Sequence, residues 1–312
     1  MQVSIRPLEQ NELTAADQIF RLAFGTFRKL PNPAQYGGDM TFIKRWFTDP
    51  TAVFAAEIDG KLVGSNFASN WGSFGFFGPL TIHPDFWGQK IAPRLIEPVL
   101  ECFKRWNNKQ VGLFTFPNSP LHLSLYQKFD FYPRFLTAVM TKEVKPTKQL
   151  PQGLRYSELP KDKQIECLRS SQELTDAIYD GLDLEREIRI VEDQSLGDTL
   201  FLWDDKGLSA FAICHYGKGT EAGSNACYIK FAAIRLGAKA GQNFEQLLQE
   251  CETLSRWQGA SQLIGGVNTA RQEAYQQMLA FGFRIDRLGI AMLNPNEPAF
   301  NRPGAYIIDD WR

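Results

Sequence analysis

One order of secondary-structure signals runs through this chain twice, about 150 residues apart. In the first pass residues 3–7 alternate as a strand. Residues 11–27 follow with helical spacing, Ala15, Ile19, Phe20, Leu22 and Ala23 facing inward. Residues 41–47 suggest a shorter helix. Strands 52–58 and 62–70 flank Asp59-Gly60, a hairpin signal. A strand over 76–82 is interrupted by Gly78-Pro79. A helix over 91–106, a strand over 111–116, a helix opened by Ser119-Pro120 as cap and first residue, and a closing strand over 135–141 complete the set. The stretch VKPTKQLPQG, residues 144–153, has two prolines and no apolar periodicity, and reads as a linker. The second pass predicts a strand at 154–157 and helix over 162–192 in two pieces. A hairpin of 199–203 with 207–216 and a strand at 226–234 come next. Helix 242–257 turns Phe244, Leu247, Leu248, Cys251 and Leu254 inward. Strand 262–267, helix 269–280 with Thr269 and Gln272 as a capping box, and strand 285–293 end the pass. A repeated order of this length implies tandem related domains: 1–145, a linker at 146–153, and 154–312.

Composition narrows the function classes. Of 312 residues 44% are hydrophobic, enough for two cores, and the net charge of −1 offers no field for nucleic acid or an anionic membrane. There is no signal-like leader and no apolar run near the roughly 20 residues that span a bilayer, so a soluble cytoplasmic protein is expected. The cysteines, Cys102, Cys167, Cys214, Cys227 and Cys251, are odd in number and form no CxxC, which argues against a disulfide framework. Three scattered histidines, His83, His122 and His215, give a zinc site little to work with, and no metal is expected. No G-x-S-x-G elbow occurs. Oligomeric state is not encoded in any feature of the sequence.

The segment HPDFWGQKIAPRLIEPVLECF, residues 83–103, places a strand end, a tight loop and a helix start in succession. Ile91, Ala92, Leu95, Ile96, Val99, Leu100 and Phe103 form its apolar stripe. Such a junction can be an anion site, because the first helical N–H groups are unpaired and the helix dipole is positive there. It can equally be an ordinary strand-to-helix connection.

LTIHPDFWGQKIAPRLI, Leu80 to Ile96, together with LYQKFDF, Leu125 to Phe131, resembles two motifs of the GNAT N-acetyltransferase superfamily. In the first, a strand ending in His-Pro enters a pyrophosphate loop of the form Q/R-x-x-G-x-G/A. The second is similar to the family's Leu-Tyr-Glu-Lys-x-Gly-Phe helix end. The resemblance covers the chain as two copies. It implies an α/β (α+β) protein of two tandem GNAT-like domains, each a mixed, mostly antiparallel sheet flanked by helices. It implies acetyl-CoA as cosubstrate, with acetyl transferred directly to a primary amine of a small molecule or peptide. Carried over position by position, Leu80, Thr81 and Ile82 hold the acetyl carbonyl and pantetheine amides. Trp87, Gly88, Gln89, Lys90, Ile91 and Ala92 hold the pyrophosphate, Asn118 contacts CoA, and Tyr126 is the acid that protonates the thiolate. Trp87 stands where Gln or Arg is usual and Lys90 replaces the first Gly. The Gly78-Pro79 break matches the family's bulge, which splays the fourth strand and opens the cofactor cleft.

The base is not readable. Glu57 and His83 are the nearest candidates and each also has a structural reading; water-mediated deprotonation is a third route. The aromatic run from Trp71 to Phe77 suits either a pocket floor or core packing. Pro98, inside a helix, has no functional account. In the second half Met278 occupies the tyrosine position and the loop from Arg235 to Gly241 lacks the motif. That half is expected to pack against the first and wall the acceptor cleft rather than catalyse, with Tyr275 the residue that could rescue it. Two other functions fit the sequence. One is a different acyl transfer, as in mycothiol synthase and the peptidoglycan aminoacyltransferases. The other is a non-catalytic CoA-binding or scaffold protein.

Overall fold

The computed structural model describes residues 2–312. The first half runs β1 (Val3–Pro7), α1 (Leu13–Phe27), β2 (Val53–Ile58), β3 (Lys61–Trp71), β4 (Phe74–Phe77), β5 (Thr81–Ile82), α2 (Ile91–Arg105), β6 (Gln110–Thr115), α3 (Pro120–Gln127) and β7 (Tyr132–Glu143). The second runs β8 (Leu154–Arg155), α4 (Lys161–Ile178), α5 (Glu185–Asp193), β9 (Gly197–Asp204), β10 (Gly207–Gly217), β11 (Gly223–Ile234), α6 (Ala240–Trp257), β12 (Gln262–Asn268), α7 (Gln272–Ala280), β13 (Arg284–Asn294) and β14 (Ile307–Ile308). No helix among the described residues is long and apolar enough to cross a membrane.

Local chemistry accounts for most of these elements. On α2, Ile91, Leu95, Ile96, Val99, Cys102 and Phe103 are buried, the one stripe that 3.6-residue periodicity allows. Ser119 accepts from the His122 N–H at 3.4 Å and Pro120 opens α3, so cap and first residue act as their types suggest. Asp59 and Gly60 both have positive φ, 49° and 75°, the backbone of a tight hairpin between β2 and β3. Other expectations fail locally. Residues Ile43–Phe47 form a 3-10 helix, too short for an α-helical turn to propagate. Thr269 does not cap α7: its Oγ1 donates to the Leu136 carbonyl, and Arg271 precedes the first helical residue. The strand over 76–82, by contrast, is interrupted at Gly78-Pro79 as expected, and its two parts are β4 and β5.

The strands join in one sheet ordered β1-β2-β3-β4-β6-β13-β7-β12-β11-β10-β9-β8. Its pairs are antiparallel except β4 with β6 and β11 with β12. The sheet does not stop at the division expected near residue 146. β13, the last long strand of the second half, lies between β6 and β7 of the first, and β7 pairs in turn with β12. Each half thus lends its closing strand to the other. The cores merge accordingly: Trp71, Phe74 and Phe76 pack in one cluster with Phe211, Phe231, Phe300 and Trp311. The aromatic run is therefore core, apart from Phe77, which also reaches the cleft described below.

Candidate active site

In the first half β4 pairs with β6 through Phe74–Phe76, and then the strands part. β5 pairs only with β3, through Gly64↔Ile82 and Ser65↔Thr81. Arg45 pins the break: its Nη1 donates to the Gly78 carbonyl at 2.8 Å. A cavity of about 490 Å³ fills the gap. Leu80, Thr81 and Ile82 border it on one side, and Phe114, Thr115 and Phe116 on the other.

At one end of the cavity is the turn into α2. Gly88 has φ 79° and Lys90 has φ 58°, so the turn takes up the backbone that glycines favour. None of the backbone N–H groups of residues 88–92 donates to a loop or turn carbonyl, which leaves several donors at the positive end of α2. Trp87, half exposed, donates its indole N–H to the Ile82 carbonyl at 2.8 Å and so closes the end of β5. The Trp at this position is a strand cap as well as a loop residue.

Tyr126, on α3, lines the same cavity and packs edge-on against Phe77 at 5.8 Å. Burial pushes its phenol well above the ordinary value, and a hydrogen bond with Thr115 opposes part of that shift. The geometry brings Leu80, Thr81, Ile82, Trp87, Gly88, Gln89, Lys90, Ile91, Ala92 and Tyr126 to one cavity. Asn118 is not among its lining residues; it borders an adjacent pocket with Phe27, Arg28, Phe116, Pro117 and Leu288.

Neither candidate base reaches the cleft. Glu57 is bound by Arg6 at 2.7 and 2.9 Å, a part-buried ion pair that is structural. The His83 Nδ1 accepts from the Asp85 N–H at 3.3 Å and caps a short turn. The imidazole that does line the cavity is His122. Its Nδ1 is buried without a partner, and burial lowers its pKa, so the ring is neutral at pH 7. Sequence reasoning gave this residue no role. Its one signal was position, four residues before Tyr126 on the same helical face.

Another part of the cavity wall is aromatic. Phe20, Phe24 and Phe27 of α1, with Tyr36, Phe42 and Phe116, form a connected series of rings with neighbouring centroids 4.7–6.1 Å apart. The spacing of the three phenylalanines on α1 was the missed sequence signal. The second half contributes Arg287, Trp311 and Arg312.

The corresponding gap of the second half is filled by the chain itself. β14 pairs with β11 through Ala232↔Ile308 and Ala233↔Ile307, and the Asp309 N–H donates to the Gly266 carbonyl of β12. Gly266 is the cradle: a Cβ there would lie 2.2 Å from the Asp310 Cβ. Tyr306 reaches the start of α6, its hydroxyl 3.1 Å from where a Gly241 Cβ would stand. Arg271 holds the segment through Asp309 and through the Ile307 carbonyl at 2.8 Å. Met278, in the tyrosine position, is fully buried in the core.

A splayed strand pair, a helix start with free N–H groups and a buried phenol thus border one cavity. Residues 16–131 match the acetyltransferase (GNAT) family, so the first half carries a GNAT-family domain, and the second repeats the fold. A protein from Pyrococcus horikoshii classed as an acetyltransferase is 15% identical with TM-score 0.70, over 99% of this chain and 95% of that one. A GCN5-related N-acetyltransferase from Sphaerobacter thermophilus is 15% identical with TM-score 0.60, over 97% and 96%. A tandem GNAT protein from the clavulanic acid biosynthesis pathway is 11% identical with TM-score 0.58, over 94% and 98%. At these identities the likeness is one of fold. No curated protein matches the sequence.

Proposed function

We propose that the first half is an acetyl-CoA-dependent N-acetyltransferase, moving acetyl directly to a primary amine of a small molecule or peptide. The observation that carries this reading is the open strand gap running from the residue 88–92 turn to Tyr126, where the second half has its own chain. The unpaired N–H groups of that turn suit a pyrophosphate, with the Lys90 cation beside them. The edge of β5 turned away from β3, which has no strand beside it, suits the pantetheine amides and the acetyl carbonyl. Tyr126, kept protonated by burial, holds a proton for the departing thiolate. The second half supplies one wall of the acceptor side and no second centre.

The test uses the full-length protein. Calorimetric titration with acetyl-CoA should show saturable binding, and a panel of amines should give amine-dependent thiol release. Binding without release under any amine would favour a CoA-binding protein without catalysis. No binding at millimolar CoA would remove the reading.

A further inference from the structure

The cleft combines three features. Its wall is a continuous series of rings: Phe20 meets Phe24 at 5.0 Å, Phe24 stacks on Tyr36 at 5.5 Å, and Phe27 meets Phe116 at 4.7 Å and His122 at 4.9 Å. No aspartate or glutamate among the described residues lines the cavity, whereas Lys90, Lys128, Arg287 and Arg312 do. Two buried carboxylates of the second half are already paired: Glu221 with Arg45 and Lys230, Asp310 with Arg312.

We infer that the acceptor is an aromatic amine, with its nitrogen bonded directly to an aryl ring, seated between the α1 phenylalanines and Phe116. The inference rests on the acetyl-CoA reading above and names its second substrate. An alkyl amine, with a pKa near that of lysine, about 10, arrives as an ammonium ion. Aromatic faces attract such ions, but this one would find no aspartate or glutamate side chain along the cavity to pair with or to take its proton. An aryl amine delocalises its lone pair into the ring and is neutral at pH 7. It needs no prior deprotonation, and its flat apolar body matches the wall. In the reaction its nitrogen lone pair forms the N–C bond at the acetyl carbonyl and the C–S bond breaks with its electron pair on sulfur. The proton lost by nitrogen is matched by the one gained by sulfur, giving an anilide and free CoA thiol. His122, whose ring lines the cavity, accepts the first, and Tyr126 gives the second.

Aniline, benzylamine and cyclohexylamine separate the features. The first has ring and neutral nitrogen, the second ring and basic nitrogen, the third basic nitrogen alone. With the full-length protein and saturating acetyl-CoA, kcat/KM for aniline should exceed both others by about 100-fold. Phe24→Leu, and independently Phe27→Leu, should raise the aniline KM about fivefold and leave acetyl-CoA affinity unchanged. Benzylamine or cyclohexylamine matching aniline would overturn the inference. So would a protein that binds acetyl-CoA by calorimetry yet acetylates none of the three. Absence of acetyl-CoA binding would instead bring down the underlying reading, and this one with it.

Discussion

Lys90 occupies left-handed backbone, φ 58° and ψ 30°, at the start of α2. For a residue with a Cβ that conformation costs roughly 1 kcal/mol. Lys90→Gly should therefore raise the melting temperature by about 2 °C in a thermal melt. Because its ammonium is exposed, the loss of CoA affinity should stay within a few-fold. Tyr126 lies at the other end of the cleft and makes the sharper prediction. Tyr126→Phe should lower kcat by about 100-fold or more with little change in KM for acetyl-CoA, since an acid acts in the transition state. Steady-state kinetics decides it, and an unchanged kcat where chemistry limits turnover would leave Tyr126 a packed aromatic. The two titrating groups also set pH limits. The His122 pKa is lowered, so its neutral form persists to below pH 6.5 and the acid limb of kcat should lie below that value. The Tyr126 pKa is raised, so its alkaline limb lies above about 10.

At the scale of elements the exchanged strands matter most. A fragment of residues 1–146 keeps the cleft residues of its own half but loses β13, leaving one edge of β6 open and β7 without either neighbour. An exposed pair of such edges recruits other chains. The fragment should therefore form dimers or aggregates by light scattering; a stable folded monomer would show that the exchange is dispensable. β14 offers a second test. Gly266→Val places side-chain atoms where Asp310 stands and should displace residues 307–312. Limited proteolysis should then cut this segment, and with Trp311 withdrawn from the cleft the acceptor KM should rise while CoA binding in the first half is retained.

Among the described residues the strands form one sheet, open at the first gap and filled by β14 at the second. Acetyl-CoA should bind at one site per chain, a ratio that calorimetry reads directly. Across the junction lies a buried charge cluster: Arg45 on Glu221 at 2.7 Å, Lys230 on Glu221 at 2.6 Å and on Glu187 at 3.4 Å, with Glu187 accepting from the Trp71 indole. Burial pushes the Glu221 carboxyl up, but Arg45 and Lys230 outweigh it and hold it well below its ordinary 4.5. The stability this contributes is present above that value and lost as pH falls through the depressed one. His215, buried with neither ring nitrogen paired, is lowered from 6.5 to about 3 by burial and by Lys230. The unfolded chain takes up that proton first, so stability declines as pH drops from 6.5 towards 3. The melting temperature should fall progressively below pH 6.5, and Glu221→Gln, which leaves buried Arg45 without its carboxylate and Lys230 with Glu187 alone, should cost about 3–5 kcal/mol.

The sequence by itself determined what depends on near neighbours in the chain. The α2 stripe, the Asp59-Gly60 turn, the Ser119 cap, the break at Gly78-Pro79 and the loop before Ile91 were all readable, because periodicity and turn chemistry act over a few residues. The repeated order was readable for the same reason. Tertiary structure alone decided which strand lies beside which. An alternating pattern specifies the face a side chain takes, not the partner its backbone meets, so β7 and β13 could not be seen to change places. It also decided that residues 306–310, which follow the last periodic strand, lie in the second gap, and that Arg287, Trp311 and Arg312 reach the first. Asn118 turned out to lie beside the cleft and His122 in it for the same physical reason: a pocket gathers residues distant in the chain, and their spacing carries no record of the meeting.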